Sequence, residues 1–281
     1  MPTRKSGASL FFARRLTGIL RLTTSTHTPE VPVWLWIKVT QGGGMIQVRA
    51  KPYEGRTQYY PLLLLCLGVV GAAWALHLAH SQAFQPYFGD VNPVLATTFV
   101  SLLGVASAAY LNSRRWFAIH SKGEFRRSLI WSVSLATLLV IPVVVVDIFG
   151  GFPKDLNVAA PQSLLFYPVM ALIAEVAFHV VPLSLLILVL GPLLMRMGRE
   201  TTLWFCIIAA SMIEPSFQVA WGSEKSPLWA NAYVGLHVFA FNMLELYLFK
   251  RYGFFSMYMF RIIYYAYWHI LWGYLRLQLL Y

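Results

Sequence analysis

Of 281 residues, 58% are apolar and only 12% charged, and the mean hydropathy is +0.60. A soluble domain carries about 25% charged residues, so a soluble globular fold is excluded. The formal net charge of +11 lies in short flanks between apolar runs, with no folded basic module around it, which argues against a nucleic-acid partner.

Residues 1–58 form a basic N-terminal segment rich in Thr, Ser and Gly, with nine Lys and Arg. Its apolar patch, VPVWLWI, is too short to span a bilayer and is expected to lie in the interface. No apolar stretch followed by a small-residue cleavage site marks a secretory signal. QGGGM at 41–45 is what a G-rich ribosome-binding stretch would encode, which places an alternative start at Met45 and makes 1–44 a mis-assigned leader.

From residue 59 to 281 the chain is a series of apolar runs long enough to cross a hydrocarbon core of about 30 Å as helices. They fall at 59–80, 91–111, 127–149, 163–195, 202–221, 228–249 and 254–276. None alternates with period two, so a β-barrel is excluded, and the fold class is an all-α polytopic transmembrane bundle of about seven spans. The fourth run is too long for an untilted helix at about 1.5 Å per residue. Pro182 is expected to kink it and Pro192 to end it. Cys66 and Cys206 fall inside apolar runs without CxxC spacing and read as buried small residues, neither disulfide nor metal ligands.

The loops after the basic leader hold, in order, zero, five, one, two, one and two Lys or Arg, and Arg276 follows in the last stretch. The more basic connection is every second one. The positive-inside rule then puts the N-terminus in the cytoplasm and the C-terminus outside, as in an integral protein of a bacterial inner membrane.

An ionisable side chain at the centre of a bilayer costs about 2.5–3.5 kcal/mol on insertion scales and needs a partner or a polar cavity. Such residues concentrate in the last four spans. AEVAFH at 174–179 offers Glu175 and His179, four apart and on one helical face. The fifth span has Glu214 and Gln218 around Pro215. The sixth has His237, Asn242 and Glu245, the last placed to snorkel towards Lys250. The seventh has Arg261, Tyr265 and His269 in one stripe, within the aromatic run YYAYWHILWGY that could line a substrate groove. Glu175, His179, Glu214 and Arg261 are expected to share one cavity. A carboxylate with an imidazole can activate water against a carbonyl, and Arg or Tyr can hold the oxyanion. The same groups could relay protons, bind an anion, or form a hydrogen-bonded core that fixes helix packing. Glu175, His179, Glu214 and His269 carry metal-ligating atoms, but no HExxH or tight histidine pair accompanies them, so no metal and no cofactor is expected.

The order and spacing of these last spans resemble the CPBP superfamily of intramembrane glutamic proteases, which includes the type II CAAX prenyl endopeptidases. Members carry EExxxR on one helix, FxxxH on the next and HxxxN or HxxxD on the last. Here AEVAFHVVP stands where EExxFRG would be, and VFAFNMLELYLFKRYGFFSMYMF is similar to the connecting helix, its YxRTGSLW turn and the start of the last span. The likeness covers 163–273 as a core. Ala174 replaces the first glutamate, the family's proposed general base, while Glu175 keeps the second. His179 replaces the arginine. SMIEPSFQ, with Glu214 or Ser216, stands in for the histidine helix, and Arg261 and Tyr265 make RxxxY where HxxxN would be, with His269 one turn on.

The resemblance implies a metal-independent intramembrane peptidase using glutamate-activated water on a membrane-anchored protein or peptide in the lipid bilayer. Glu175, His179, Glu214 and His269 would be catalytic, and Arg261, Tyr265 and Asn242 would hold the oxyanion or substrate. A catalytically silent relative, acting as a binding, sorting or maturation partner, is the alternative that Ala174 favours. A small-solute or proton-linked transporter is a further one, supported by Pro215 beside Glu214 but by no internal symmetry.

Overall fold

A computed structural model describes residues 58–121, 123–150, 152–222 and 227–281, together with 40–41 and 44–45. In the leader, β1 (Thr40–Gln41) pairs antiparallel with β2 (Gly44–Met45). The VPVWLWI patch and the rest of 1–57, on which the expectation about the start rests, lie outside the described residues.

Helices α1 (Tyr59–Leu78), the single turn α2 (Gln85–Phe88), α3 (Pro93–Ser113) and α4 (Phe125–Ile148) come first. Asn92 caps α3 by accepting from the Val94 and Leu95 amides at 2.9 and 3.3 Å, and Pro93 fills the first helical position, where no amide donor is needed. The fourth span is α5 (Ser163–Ala174), a π-helical turn (Glu175–Val180) and α6 (Val181–Leu194). The fifth is α7 (Arg199–Ser211) and α8 (Ile213–Gly222), broken at Met212. Then come α9 (Leu228–Tyr252) and a last run of α10 (Phe254–Tyr265), a second π turn (Ala266–Trp272) and α11 (Gly273–Leu279).

Among the described residues, six helices are long and apolar enough to cross a membrane: 59–78, 93–113, 125–148, 163–194, 199–220 and 228–252. The expected seventh span is helical too, but Arg261, His269 and its many Tyr and Trp residues dilute its apolarity. The protein is thus an all-α polytopic helix bundle.

The prolines act differently from the expectation. Pro182 has no amide to give the Phe178 carbonyl, and the chain responds with a π turn ahead of it: the Val181 amide bonds the Val176 carbonyl, five residues back. Pro192 ends nothing, and α6 runs on to Leu194. Pro215 deprives the Ser211 carbonyl of its intrahelical donor, and the helix breaks at Met212.

Two apolar cores hold the bundle. One lies between α1, α3, α5, α6 and α7, with Leu62, Leu111, Phe166, Leu183 and Ile207 buried. The other lies between α4, α9 and α10, around Ala136, Phe241, Leu248 and Phe260. Cys66 and Cys206 are buried free thiols. Small residues bring helices close, as expected where lipid offers no competing hydrophobic drive. The Ser128 and Ser256 hydroxyls meet at 2.6 Å between α4 and α10. Gly104 of α3 lies so near the first π turn that a Cβ there would stand 2.6 Å from a Val176 methyl. Gly253, at φ +99°, turns α9 tightly into α10.

A buried ion pair ties the far end. Arg276 donates to both oxygens of Asp147 at 2.6 and 2.7 Å and to the carbonyls of Phe152, Pro153 and Lys154, while the Trp272 indole donates to Asp147 at 2.7 Å.

Candidate functional site

Four elements converge on one buried cluster. The first π turn brings Glu175 and His179, α8 brings Glu214, α9 brings Glu245, and α10 brings Arg261. Their relative exposures are 0% for Glu175, His179 and Glu245, 1% for Arg261 and 3% for Glu214. Glu175, His179, Glu214 and Arg261, expected to share one cavity, do come together, and Glu245 joins them in a cluster enclosed by side chains.

Arg261 is the hub. Its Nε donates to Glu175 Oε1 and Glu245 Oε1, both at 3.0 Å. Nη1 donates to Glu214 Oε1 and the Tyr265 hydroxyl, both at 3.1 Å. Nη2 donates to Glu214 Oε2 at 2.9 Å and Glu245 Oε2 at 2.6 Å. Five N–H donors are thereby all engaged. None is left for an oxyanion, so the oxyanion-binding role expected of Arg261 is not available in this arrangement, because three carboxylates already occupy its edge. The Phe241 ring packs against the guanidinium, 5.1 Å from its centroid.

His179 has a different position. Its Nδ1 lies 3.2 Å from Glu175 Oε2, and its Nε2 lies 3.7 Å from Glu245 Oε2 and 3.9 Å from Glu214 Oε2. These separations suit ion pairing, but the directions do not suit hydrogen bonds: both ring nitrogens and Glu175 Oε2 are buried without a hydrogen-bond partner. The cluster therefore holds three carboxylates, one guanidinium and one imidazole with unspent nitrogens. Counted with a neutral imidazole, it carries two negative charges more than positive ones. Leaving such charge buried costs several kcal/mol per ion.

Glu245 is the member that spacing reasoning underrated. It does not snorkel to Lys250, whose ammonium instead pairs with Glu200 and lies over the Trp204 ring. Glu245 and Arg261 stand at equal sequence distance from Gly253, so the tight α9–α10 turn sets them side by side. That symmetry about a glycine was the available signal.

Two other expected site residues are engaged elsewhere. Asn242 donates through Nδ2 to the Ser211 carbonyl at 3.2 Å, the carbonyl that Pro215 strands, so its observed contact is repair of a helix break and no substrate contact. His269 sits in the second π turn, with Nδ1 at 2.7 Å from Asn157 Oδ1 and its ring stacked on Tyr167 at 4.6 Å. It makes no direct contact with the five clustered groups. Tyr265 joins them through its hydroxyl. His237 lies between the Tyr233 and Tyr264 hydroxyls, at 3.2 and 2.9 Å. The aromatic run does line an apolar groove of about 270 Å³: Tyr267, Leu271 and Trp272 face Thr137, Val140 and Val144 across it.

Both π turns carry expected site residues, and π turns inside α-helices recur at functional sites. One atom each from Glu175, His179 and Glu245 can be chosen so that all lie within 4.8 Å of one another, a donor set of the kind that holds a metal ion. Comparison of the chain with family models, with curated proteins and with solved structures finds no match.

Proposed function

We propose that this protein is a divergent CPBP-like intramembrane peptidase that hydrolyses a membrane-anchored protein or peptide. The observation that carries the reading is the pair of unspent proton acceptors at full burial: Glu175 Oε2 and the His179 ring, side by side on a π turn. Glu175 Oε2 takes a proton from water, and the water oxygen attacks the peptide carbonyl carbon. That proton moves from Glu175 Oε2 to His179 Nδ1, 3.2 Å away, and the imidazolium gives one to the departing amide nitrogen as the C–N bond breaks, which restores the carboxylate and the neutral ring. Arg261 keeps Glu214 and Glu245 in place and does not touch the substrate. The alternation of basic loops supports an N-terminus in the cytoplasm of a bacterial inner membrane.

A second reading, a catalytically silent relative that binds or sorts a membrane partner, is favoured by one specific observation. Ala174 stands where the resembled family has its first glutamate, and Arg261 engages all three remaining acids. The two readings separate on Glu175→Gln, which keeps shape but cannot accept a proton. In cells expressing each form, new protein N-termini among membrane proteins are identified by mass spectrometry. The peptidase reading expects a cleavage product whose rate of appearance falls ~10²–10⁴-fold in Glu175→Gln. Products equal in both forms, or absent from the wild type, leave the silent relative.

A further inference from the structure

We infer that Glu175, His179 and Glu245 form a binding site for one divalent transition-metal ion, zinc in the first instance. It does not depend on the peptidase reading: the ion would take the Glu175 and His179 atoms that move protons there, so the loaded form would be inactive and the stripped form the active one.

Three independent observations meet at the cluster. The first is the donor set. One atom from each residue falls within 4.8 Å of the others, and all three residues are fully buried. Zinc with nitrogen and carboxylate ligands at about 2.0–2.2 Å sets neighbouring donors about 3.3–3.6 Å apart. His179 Nδ1 lies 3.2 Å from Glu175 Oε2 and Nε2 lies 3.7 Å from Glu245 Oε2, so an ion on either nitrogen has one glutamate near that spacing and draws the other from within 4.8 Å. Small rotations of the glutamate side chains would close the rest.

The second is the unspent valence. Glu175 Oε2 and both His179 nitrogens have no hydrogen-bond partner, although polar groups surround them. Buried polar atoms are nearly always paired, and a specific exception calls for a water or an ion. With an ion on Nδ1, the Nε2–H would lie 3.9 Å from Glu214 Oε2, a carboxylate outside the donor set. Metal-bound histidines commonly have such a carboxylate on the far nitrogen, where it fixes the ring and its tautomer.

The third is charge. Three carboxylates against one guanidinium leave two negative charges, and a dication cancels both. A monovalent ion would cancel one. The imidazole selects zinc and its neighbours over magnesium and calcium, which take oxygen ligands. Two protons, one on His179 and one on a glutamate, are the competing way to balance the cluster.

The test uses the full chain, purified without an affinity tag of histidines. Protein is stripped with chelator, incubated with zinc chloride and freed of excess. Bound metal is then counted by plasma mass spectrometry, and thermal unfolding is recorded before and after loading. The expected result is about one zinc per chain and a higher unfolding midpoint on loading. Manganese should load more weakly, with magnesium and calcium giving no shift. His179→Gln and Glu175→Gln should both lose the stoichiometric ion and the midpoint rise. Glu214→Gln keeps all three donors but removes one of the two excess charges, so it should still take up one ion with a smaller midpoint rise, which guards against a variant that merely misfolds. Wild type that takes up no more zinc than His179→Gln, or loads with no midpoint change, overturns the inference and assigns the balance to protons. The two proposals fail separately. Stoichiometric zinc, with no membrane protein processed by the stripped form, removes only the peptidase. Processing by stripped protein that takes up no zinc removes only the metal site.

Discussion

The charge excess in the cluster makes opposite demands on Arg261 and on Glu245, and that asymmetry can be measured. Arg261→Gln removes the one guanidinium that, among the described residues, faces Glu175, Glu214 and Glu245, each of which is 3% exposed or less. Breaking one buried ion pair by removing a partner costs about 3–5 kcal/mol. Three acids lose the same partner here, so that range is a lower bound even after some of them take up protons. At about 2–4 °C per kcal/mol for a chain of this size, the unfolding midpoint should fall by ~6–20 °C or more. Glu245→Gln works the other way. It removes one of the two excess charges, its amide oxygen still accepts from Arg261, and Glu175 and Glu214 still hold the guanidinium. Its cost should stay within about 1.5 kcal/mol, the net worth of an ordinary hydrogen bond. The double variant should recover part of the loss seen in Arg261→Gln alone. The assay is thermal unfolding in detergent, followed by tryptophan fluorescence, on chelator-treated protein so that no ion contributes. If the two single variants fall by the same amount, the cluster holds no excess negative charge and the reasoning is wrong.

Asp147→Ala leaves Arg276 buried among carbonyl oxygens with no anion, and should cost about 3–5 kcal/mol, read as a lower unfolding midpoint. Gly104→Ala puts a Cβ 2.6 Å from a Val176 methyl and should destabilise by about 1–3 kcal/mol; the added penalty should vanish in a Val176→Ala background. Asn242→Ala strands the Ser211 carbonyl at a cost of about 1–3 kcal/mol, and the loss should shrink in a Pro215→Ala background, where the chain regains an amide to bond it. Each pair is compared by double-mutant cycles on unfolding midpoints.

The spans were legible because each is a long apolar run, and lipid leaves a helix as the way to satisfy the backbone. Their ends differ from the expected ones by one to three residues in most cases, since no charge or cap marks them sharply. That Glu175, His179, Glu214 and Arg261 meet follows from cost: four ionisable groups on three apolar spans need one another. Which atoms meet was not legible. The i, i+4 spacing of Glu175 and His179 assumes an α-helix, whereas this stretch is a π turn, and the ring faces the carboxylate without hydrogen bonding to it. Glu245 was misread because Lys250 is near in sequence, while Arg261 is nearer in space across the Gly253 turn. The stripe Arg261, Tyr265, His269 persists into the second π turn: the Tyr265 hydroxyl accepts from Arg261 and its ring meets His269 edge-on at 4.9 Å, while His269 Nδ1 reaches Asn157. No proline lies in that turn, and the ties from His269 to Asn157 and from Trp272 to Asp147 hold its outer face.

Backbone irregularity and buried charge coincide in this bundle. Glu175 opens a π turn that Pro182 imposes, and Glu214 follows directly on the break that Pro215 imposes. In lipid, an interrupted helix is tolerated only where side chains or neighbouring helices take up the freed backbone groups. Asn242 does this at Ser211. A bundle selected only for packing would keep its prolines away from its costliest charges, because each adds to the other's penalty. Here the two penalties are stacked across four helices: Glu175 belongs to a π turn, and Glu214 lies in the first turn of α8 after the break at Met212. Violations of local rules that accumulate at one place mark function more than they mark packing. The Asp147–Arg276 pair is the internal contrast: it is equally buried, but its acid sits on regular α4, its partners are fully hydrogen-bonded, and it leaves no donor or acceptor unspent. A structural ion pair in this protein is thus satisfied, and the cluster around Arg261 differs from it at His179 and at the free oxygen of Glu175.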